Sequence, residues 1–203
     1  MIKQTKHKNY DYIIAIDPDV DKSGMAELWN TKNGLRGNCF LSSRTFPELV
    51  DKITLMWDKC KAHDMTCLVV IEIDTSTTHN WRLNPKMSRQ VIATMGCKQG
   101  RNYQVAQTLI QYMEFFGIEY VKQVPLRKGW RGREGKITHE ELMALKGLKF
   151  NKADDQRMKL KTNQEERDAA LLAIYWSNIP LIIDNSVYSN FAAKKKGGRE
   201  PTP

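Results

Sequence analysis

The chain opens with short β-rich apolar runs and then alternates them with longer stretches of helical periodicity. Tyr12 to Ile16 is a continuous apolar run closing on Asp17, and Gly24 begins a second run through Met25 to Trp29. Two such runs joined by a short polar segment predict a hairpin. Asn33-Gly34 is a strong turn signal, and Cys39 to Ser43 continues as a third antiparallel strand ahead of Phe46. From Pro47 to His63, the residues Leu49, Val50, Ile53, Met56, Trp57 and Cys60 recur at helical spacing. Cys67 to Ile73 then follows as an apolar strand suited to a sheet interior.

Between Ser88 and Gly117 the apolar positions Val91, Ile92, Met95, Val105, Leu109, Ile110, Met113 and Phe116 fit a helix, with a break expected near Gly96 to Gly100. Ile118 to Val124 is the next strand. Thr138-His139-Glu140-Glu141 has the form of a capping box ahead of Leu142, Met143 and Leu145, so a short helix should start there. Asn163-Gln164-Glu165-Glu166 can cap a final helix that buries Ala169, Leu172, Ala173 and Trp176, with a short strand after it. Ser177, Asn178 and Pro180 interrupt this last apolar stretch well short of the ~20 residues that a bilayer span requires. The pattern divides the chain into a basic N-terminal extension over 1–9, one α/β domain over 10–187, and a basic tail over 188–203 whose composition predicts disorder.

Composition adds a partner class. The 203 residues carry a formal net charge of +9 with 41% hydrophobic content, enough for a real core. Between Lys122 and Lys161 there are 12 Lys or Arg against 5 Asp or Glu, so the excess is local. An anionic partner is expected, nucleic acid rather than membrane, because no basic amphipathic helix stands out. Cys39, Cys60, Cys67 and Cys97 form no CxxC pair and no signal peptide opens the chain, which predicts reduced thiols in a cytoplasm. Cys60, His63 and Cys67 lack the fourth ligand of a closed zinc site.

The chemistry resides in carboxylates at the rims of apolar runs: Asp17 after the first strand, Glu72 after the Val69-Val70-Ile71 strand, and Asp168 at the start of the last helix. Glu165 lies three residues before Asp168, where one helical turn brings both to one face. Bare charges at the ends of buried strands are expensive without a cation. The plainer alternative makes each of them a cap or loop residue. A hard divalent ion such as Mg²⁺ takes oxygen ligands and is satisfied by a few carboxylates plus substrate phosphate. Asp19, Asp21 and Asp74 read either as accessory acids or as solvated loop residues.

The basic segment Pro125 to Lys136 mixes cations with glycines and one aromatic. Arg127, Lys128, Arg131, Arg133 and Lys136 suit a flexible loop contacting phosphates, with Trp130 stacking on a base or filling a cleft. Trp81, Arg82, Lys86 and Arg89 form a second tier able to touch a DNA arm.

Taken in order, Ile16-Asp17-Pro18 followed by Ser23-Gly24-Met25-Ala26, then Val70-Ile71-Glu72, Met95-Gly96 and Gly100 before a long helix, Lys122 with a basic loop, and Asp168-Ala169-Ala170-Leu171-Leu172-Ala173, the sequence resembles the RuvC-type Holliday-junction resolvases of the ribonuclease H-like nuclease superfamily. The resemblance spans Tyr10 to Ile183. It implies a mixed sheet of about five strands, three antiparallel and then parallel ones, with helices on both faces. It also implies a Mg²⁺- or Mn²⁺-dependent endonuclease, with two ions per site held by Asp17, Glu72, Asp168 and Glu165, and with Lys122 and Lys136 near the reacting phosphate. Cleavage of branched DNA by a homodimer, with the Met95 to Arg101 segment near the interface and no organic cofactor, follows from the same resemblance, as does a bacterial or phage origin. Asp19 departs from the family pattern, standing where glycine usually follows Asp-Pro. A metal-free junction-binding relative and a ribonuclease cutting RNA–DNA hybrids are the alternative readings. An actin-like phosphotransferase would need a longer, two-lobed chain.

Overall fold

In the first strand, β1 (Tyr12–Asp17), Tyr12 through Ile16 are buried without interruption. Its side chains divide between two cores: Ile13 and Ala15 face one, and Tyr12, Ile14 and Ile16 the other. A strand covered on both faces needs this unbroken apolar run. The computed structural model describes residues 8–30, 37–73, 86–126, 129–153, 161–180 and 182–183. The Asn33-Gly34 turn, Asp74, Trp81, Arg82, Arg127, Lys128 and the basic tail lie outside them.

β1 pairs antiparallel with β2 (Ser23–Asn30), and β2 with β3 (Gly37–Arg44), as the early pattern predicts. α1 (Phe46–Ala62) starts at a Thr45/Glu48 capping box and leads into β4 (Cys67–Glu72), which lies parallel to β1. α2 (Arg89–Phe116) follows, then β5 (Tyr120–Gln123), parallel to β4. A 3₁₀ turn at Arg133–Gly135 precedes α3 (His139–Met143), which begins at the expected Thr138/Glu141 capping box. β6 (Leu145–Lys146), β7 (Leu148–Lys152), α4 (Gln164–Trp176) and β8 (Ile182–Ile183) complete the described elements.

The main sheet runs β5-β4-β1-β2-β3-β7. Its mixed direction and its helices on both faces agree with the mixed sheet that the sequence predicts. α4 covers one face through Ala169, Ala170, Leu172 and Ala173. α1 and α2 cover the other through Leu49, Ile53, Met56, Leu109, Ile110 and Met113.

Three features differ from the expected pattern. The sheet has a sixth strand, β7, parallel to β3, and β6 pairs with β8 in a separate two-stranded sheet. The basic composition of this stretch masks a period of two, in which Leu148 and Phe150 are partly buried around an exposed Lys149. α2 is continuous through Gly96 and Gly100, from the Ser88 cap to a left-handed Gly117. Glycine in an exposed helix costs only about 1 kcal/mol relative to alanine, and a Cβ at either glycine would meet nothing within 4 Å. The N-terminal half of α2 therefore carries no buried residue before Ala106.

Candidate metal centre

Asp17 and Glu72 occupy neighbouring positions. The parallel register sets Ile16 opposite Ile71, and the next residue on each strand is an acid at the sheet's carboxyl end. Both acids share the phase of Ala15 and Val70, so both face α4. In the parallel register of β4 and β5, Gln123 pairs with Glu72 and Lys122 with Ile71. Lys122 thus projects to the opposite face of the sheet from the acids, with its ammonium 6.0 Å from the centroid of the Tyr120 ring.

α4 is seated over these acids by a glycine. Gly24 is the antiparallel partner of Asp17, and a β-carbon there would come within 2.1 Å of the Glu165 carbonyl carbon and oxygen. Only a residue without a side chain lets the first turn of α4 rest on β2. That turn is also fixed by Glu166, which is 2% exposed. Its Oε2 accepts from Asn163 N at 3.1 Å, while Asn163 Oδ1 accepts from Glu166 N at 2.8 Å. The other Glu166 oxygen accepts from Ser43 Oγ at 3.2 Å and pairs with the Lys152 ammonium. β3 and β7 therefore hold the helix end that carries Glu165 and Asp168.

Burial, followed by the charges of Glu72, Asp168 and Glu165, raises the Asp17 carboxyl well above the ordinary carboxylate range, with Lys136 acting in the opposite direction. The charges of three further acids thus bear on the partly buried Asp17 carboxyl. Asp168 accepts from Gln164 Nε2 at 2.8 Å through Oδ1, and its Oδ2 lies 3.8 Å from Lys136 Nζ. Among the described residues, no three acidic, histidine or cysteine side chains are drawn together closely enough to hold a metal ion as they stand. The donor set is nonetheless all oxygen, which suits a hard divalent ion. Asp17, Glu72, Asp168 and Glu165 are the residues that would hold it.

Lys136 is placed by a folded loop. The expected flexibility of the basic segment does not extend to residues 129–138: Trp130 N bonds Gly135 O at 2.9 Å, Gly132 N bonds Lys136 O at 2.9 Å, and Lys136 N bonds Arg133 O at 3.2 Å. Glu134 and Gly135 take left-handed conformations to close the turn. Arg167 ties this loop to α4, donating to Ile137 O at 3.0 Å, Thr162 O at 2.7 Å and Gln164 Oε1 at 2.9 Å. Trp130 packs at the edge of the core and lines a narrow cleft with Glu72, Leu126, Lys136, Ile137, Asp168 and Leu171. Arg131 and Arg133 are exposed beside it.

Asp19 lies on the β1–β2 turn and docks it on α2. Its carboxylate accepts from Asp21 N at 3.0 Å and from Asn102 Nδ2 at 3.2 Å, and Lys98 lies 3.5 Å away. Asn102 Oδ1 in turn accepts from Val20 N at 3.0 Å. Asp21 is exposed on the same turn, and Lys86 and Arg89 stand at the start of α2. The sequence pattern did not single out Gln164, Arg167 or Asn102. The only signal for the first two was their proximity to Asp168 within one capped helical turn, and Asn102 gave none.

No protein-family model matches the chain, and no curated protein sequence matches it. Among solved structures it is similar to Thermus thermophilus RuvC, at 12% identity over 89% of this chain and 96% of that one, with a TM-score of 0.41. The T. thermophilus RuvC complex with a Holliday junction substrate aligns at 13% identity over 90% and 97% of the two chains, with a TM-score of 0.44. The yeast mitochondrial Holliday junction resolvase Ydc2 aligns at 8% identity over 95% and 86%, also at 0.44.

Proposed function

We propose that this chain is a divalent-metal-dependent endonuclease that cuts branched DNA, with the four-way junction as its substrate and a homodimer as its working form. The observation that carries the reading is the convergence of Asp17, Glu72, Asp168 and Glu165 from three separate elements on one position, with Lys136 beside them. Acids that served only as caps would have no reason to share one partly buried environment.

Bound Mg²⁺ or Mn²⁺, two ions in this reading, supplies an activated water and charge stabilisation for phosphodiester hydrolysis. The chain's own part is to hold that charge and aim the substrate. Asp17 and Glu72 stand on rigid strand ends, and Asp168 and Glu165 approach from the pinned turn of α4. The Lys136 ammonium offers a counter-charge to the non-bridging oxygens of a phosphate drawn to this position. Trp130 and Leu126 wall the cleft against water, while exposed Arg131 and Arg133 give the backbone of a DNA arm its phosphate contacts. A four-way junction is two-fold symmetric, and the unburied N-terminal half of α2 leaves a surface for a second copy.

The test is cleavage of a labelled four-way junction beside linear duplex, single strand and RNA–DNA hybrid, with Mg²⁺, Mn²⁺ or EDTA. Paired symmetric cuts that depend on metal and vanish in Asp168→Asn are expected. Cleavage of the hybrid alone would make the protein a ribonuclease, and tight metal-independent junction binding without cuts would make it a binding protein.

A further inference from the structure

Glu141 is 3% exposed, and its carboxylate has a reach that a helix cap does not need. The cap itself is complete without further partners: Oε2 accepts from Thr138 N at 3.0 Å, and Thr138 Oγ1 accepts from Glu141 N at 3.2 Å. The same carboxylate also accepts from Arg131 N, at 3.0 Å to Oε1 and 3.3 Å to Oε2, across ten residues of chain. Arg131 and Thr138 are the two ends of the loop that carries Lys136. One buried carboxylate therefore clamps both ends of that loop.

Inside the clamp, Gly132 N reaches Lys136 O and Gly135 N reaches Gly132 O. Lys136 has little freedom left except along its own side chain, which ends 3.8 Å from Asp168. A buried carboxylate satisfied by backbone N–H groups forms directional bonds, and losing one leaves a desolvated oxygen short of a partner. Such a group resists small displacements of the loop far better than a solvated side chain would.

We propose that Glu141 is a positioning residue of the nuclease centre: it locks the 131–138 loop and thereby sets Lys136 against Asp168, without itself touching substrate or metal. This rests on the nuclease reading above for its catalytic consequence, though not for the clamp itself. Gln at 141 keeps the size and one acceptor oxygen but presents an NH₂ group to the remaining amide. Arg131→Pro removes the Arg131 donor while leaving the Thr138 cap untouched.

The experiment combines single-turnover junction cleavage with amide hydrogen exchange on the full chain, for wild type, Glu141→Gln, Arg131→Pro, Lys136→Met and the Glu141→Gln/Lys136→Met double variant. Glu141→Gln is expected to slow cleavage about 10- to 100-fold with junction affinity changed by less than about two-fold, while Arg131→Pro, which also removes a guanidinium assigned to the DNA arm, is read by hydrogen exchange alone. The double variant should be no slower than Lys136→Met alone, because the effect passes through Lys136. Exchange should rise across residues 131–138 and stay unchanged across 163–168. Multiplicative effects in the double variant, wild-type rates in Glu141→Gln, or exchange rising equally in α4 would each overturn the proposal. If the wild type cuts no DNA at all, the nuclease reading fails, and exchange over 131–138 still decides whether the clamp exists.

Discussion

Gly24 and Glu165 are in backbone contact: the space a β-carbon would take on β2 is already filled by the Glu165 carbonyl group, 2.1 Å away. The candidate centre is therefore set by the closeness of a helix to a sheet as well as by its acids. Gly24→Ala must push the first turn of α4 outward, taking Glu165 and Asp168 with it. The expected cost is about 1–3 kcal/mol of folding stability, the range for an overpacked interior. Cleavage should fall further than stability explains, which chemical denaturation and junction cleavage on the same preparation would test.

Asp17→Asn removes one charge from a set of mutually repelling acids. Metal-free protein carrying this change is expected to melt at a higher temperature than wild type at neutral pH, while cleavage drops by more than ~100-fold and junction binding is kept. Mg²⁺ should raise the melting temperature of the wild type and leave the variant unmoved. A variant that still cuts at the wild-type rate would remove Asp17 from the centre.

Asn102→Ala cuts the two hydrogen bonds that Asn102 makes to the turn after Asp17, leaving the Lys98–Asp19 pair in place. The loss in stability should be about 1 kcal/mol. The functional effect should be seen in metal demand: the Mn²⁺ concentration giving half-maximal cleavage is expected to rise about ten-fold, the scale of a lost supporting contact. A titration of cleavage against Mn²⁺ with both proteins measures it.

The face of the sheet away from the acids holds a different polar group. Tyr12 donates its hydroxyl to Glu27, which also pairs with Lys52 Nζ at 3.1 Å. Burial first, and then the Glu27 charge, raise the Tyr12 phenol far above its ordinary value. A raised pKa in the folded state contributes stability that is complete below about pH 10, the unfolded phenol value, and is lost as pH rises toward the folded one. Tyr12→Phe is thus expected to cost about 1–3 kcal/mol at neutral pH, a gap that narrows above pH 10. The buried thiol of Cys39 is also raised, but it is common to both proteins. Urea unfolding from pH 7 to pH 11 gives the curve.

Much of this architecture was legible in the sequence because local signals agreed with long-range ones. The Tyr12–Ile16 run is apolar without a break because two cores need it, and the capping boxes at Thr45, Thr138 and Asn163 mark helix starts with bonds made inside one turn. Asp17, Glu72 and Asp168 could be picked out because each interrupts an apolar run. β7 was hidden since Lys149, Asn151 and Lys152 leave only two apolar residues in a basic stretch, and the continuity of α2 since glycine in a solvated helix leaves no periodic trace. Lys122 sat in the right stretch, but which face it takes depends on register with β4, a pairing written between strands and not within one. Glu141 and Arg167 lay in plain view as charges, yet their roles depend on backbone groups ten and thirty residues away.

The acids sit at positions 17, 72, 165 and 168, and the last two arrive on the helix that also closes one core. A chain emerging from the ribosome would thus complete β1, β2 and β4 long before anything could bind at their ends. Because α4 both packs on the core of Ile13, Leu28 and Val70 and carries Glu165 and Asp168, its docking would close that core and bring the candidate acids together. On the nuclease reading, cleaving power would be acquired only as the fold closes, and any change that loosens that helix should silence the protein before it unfolds it.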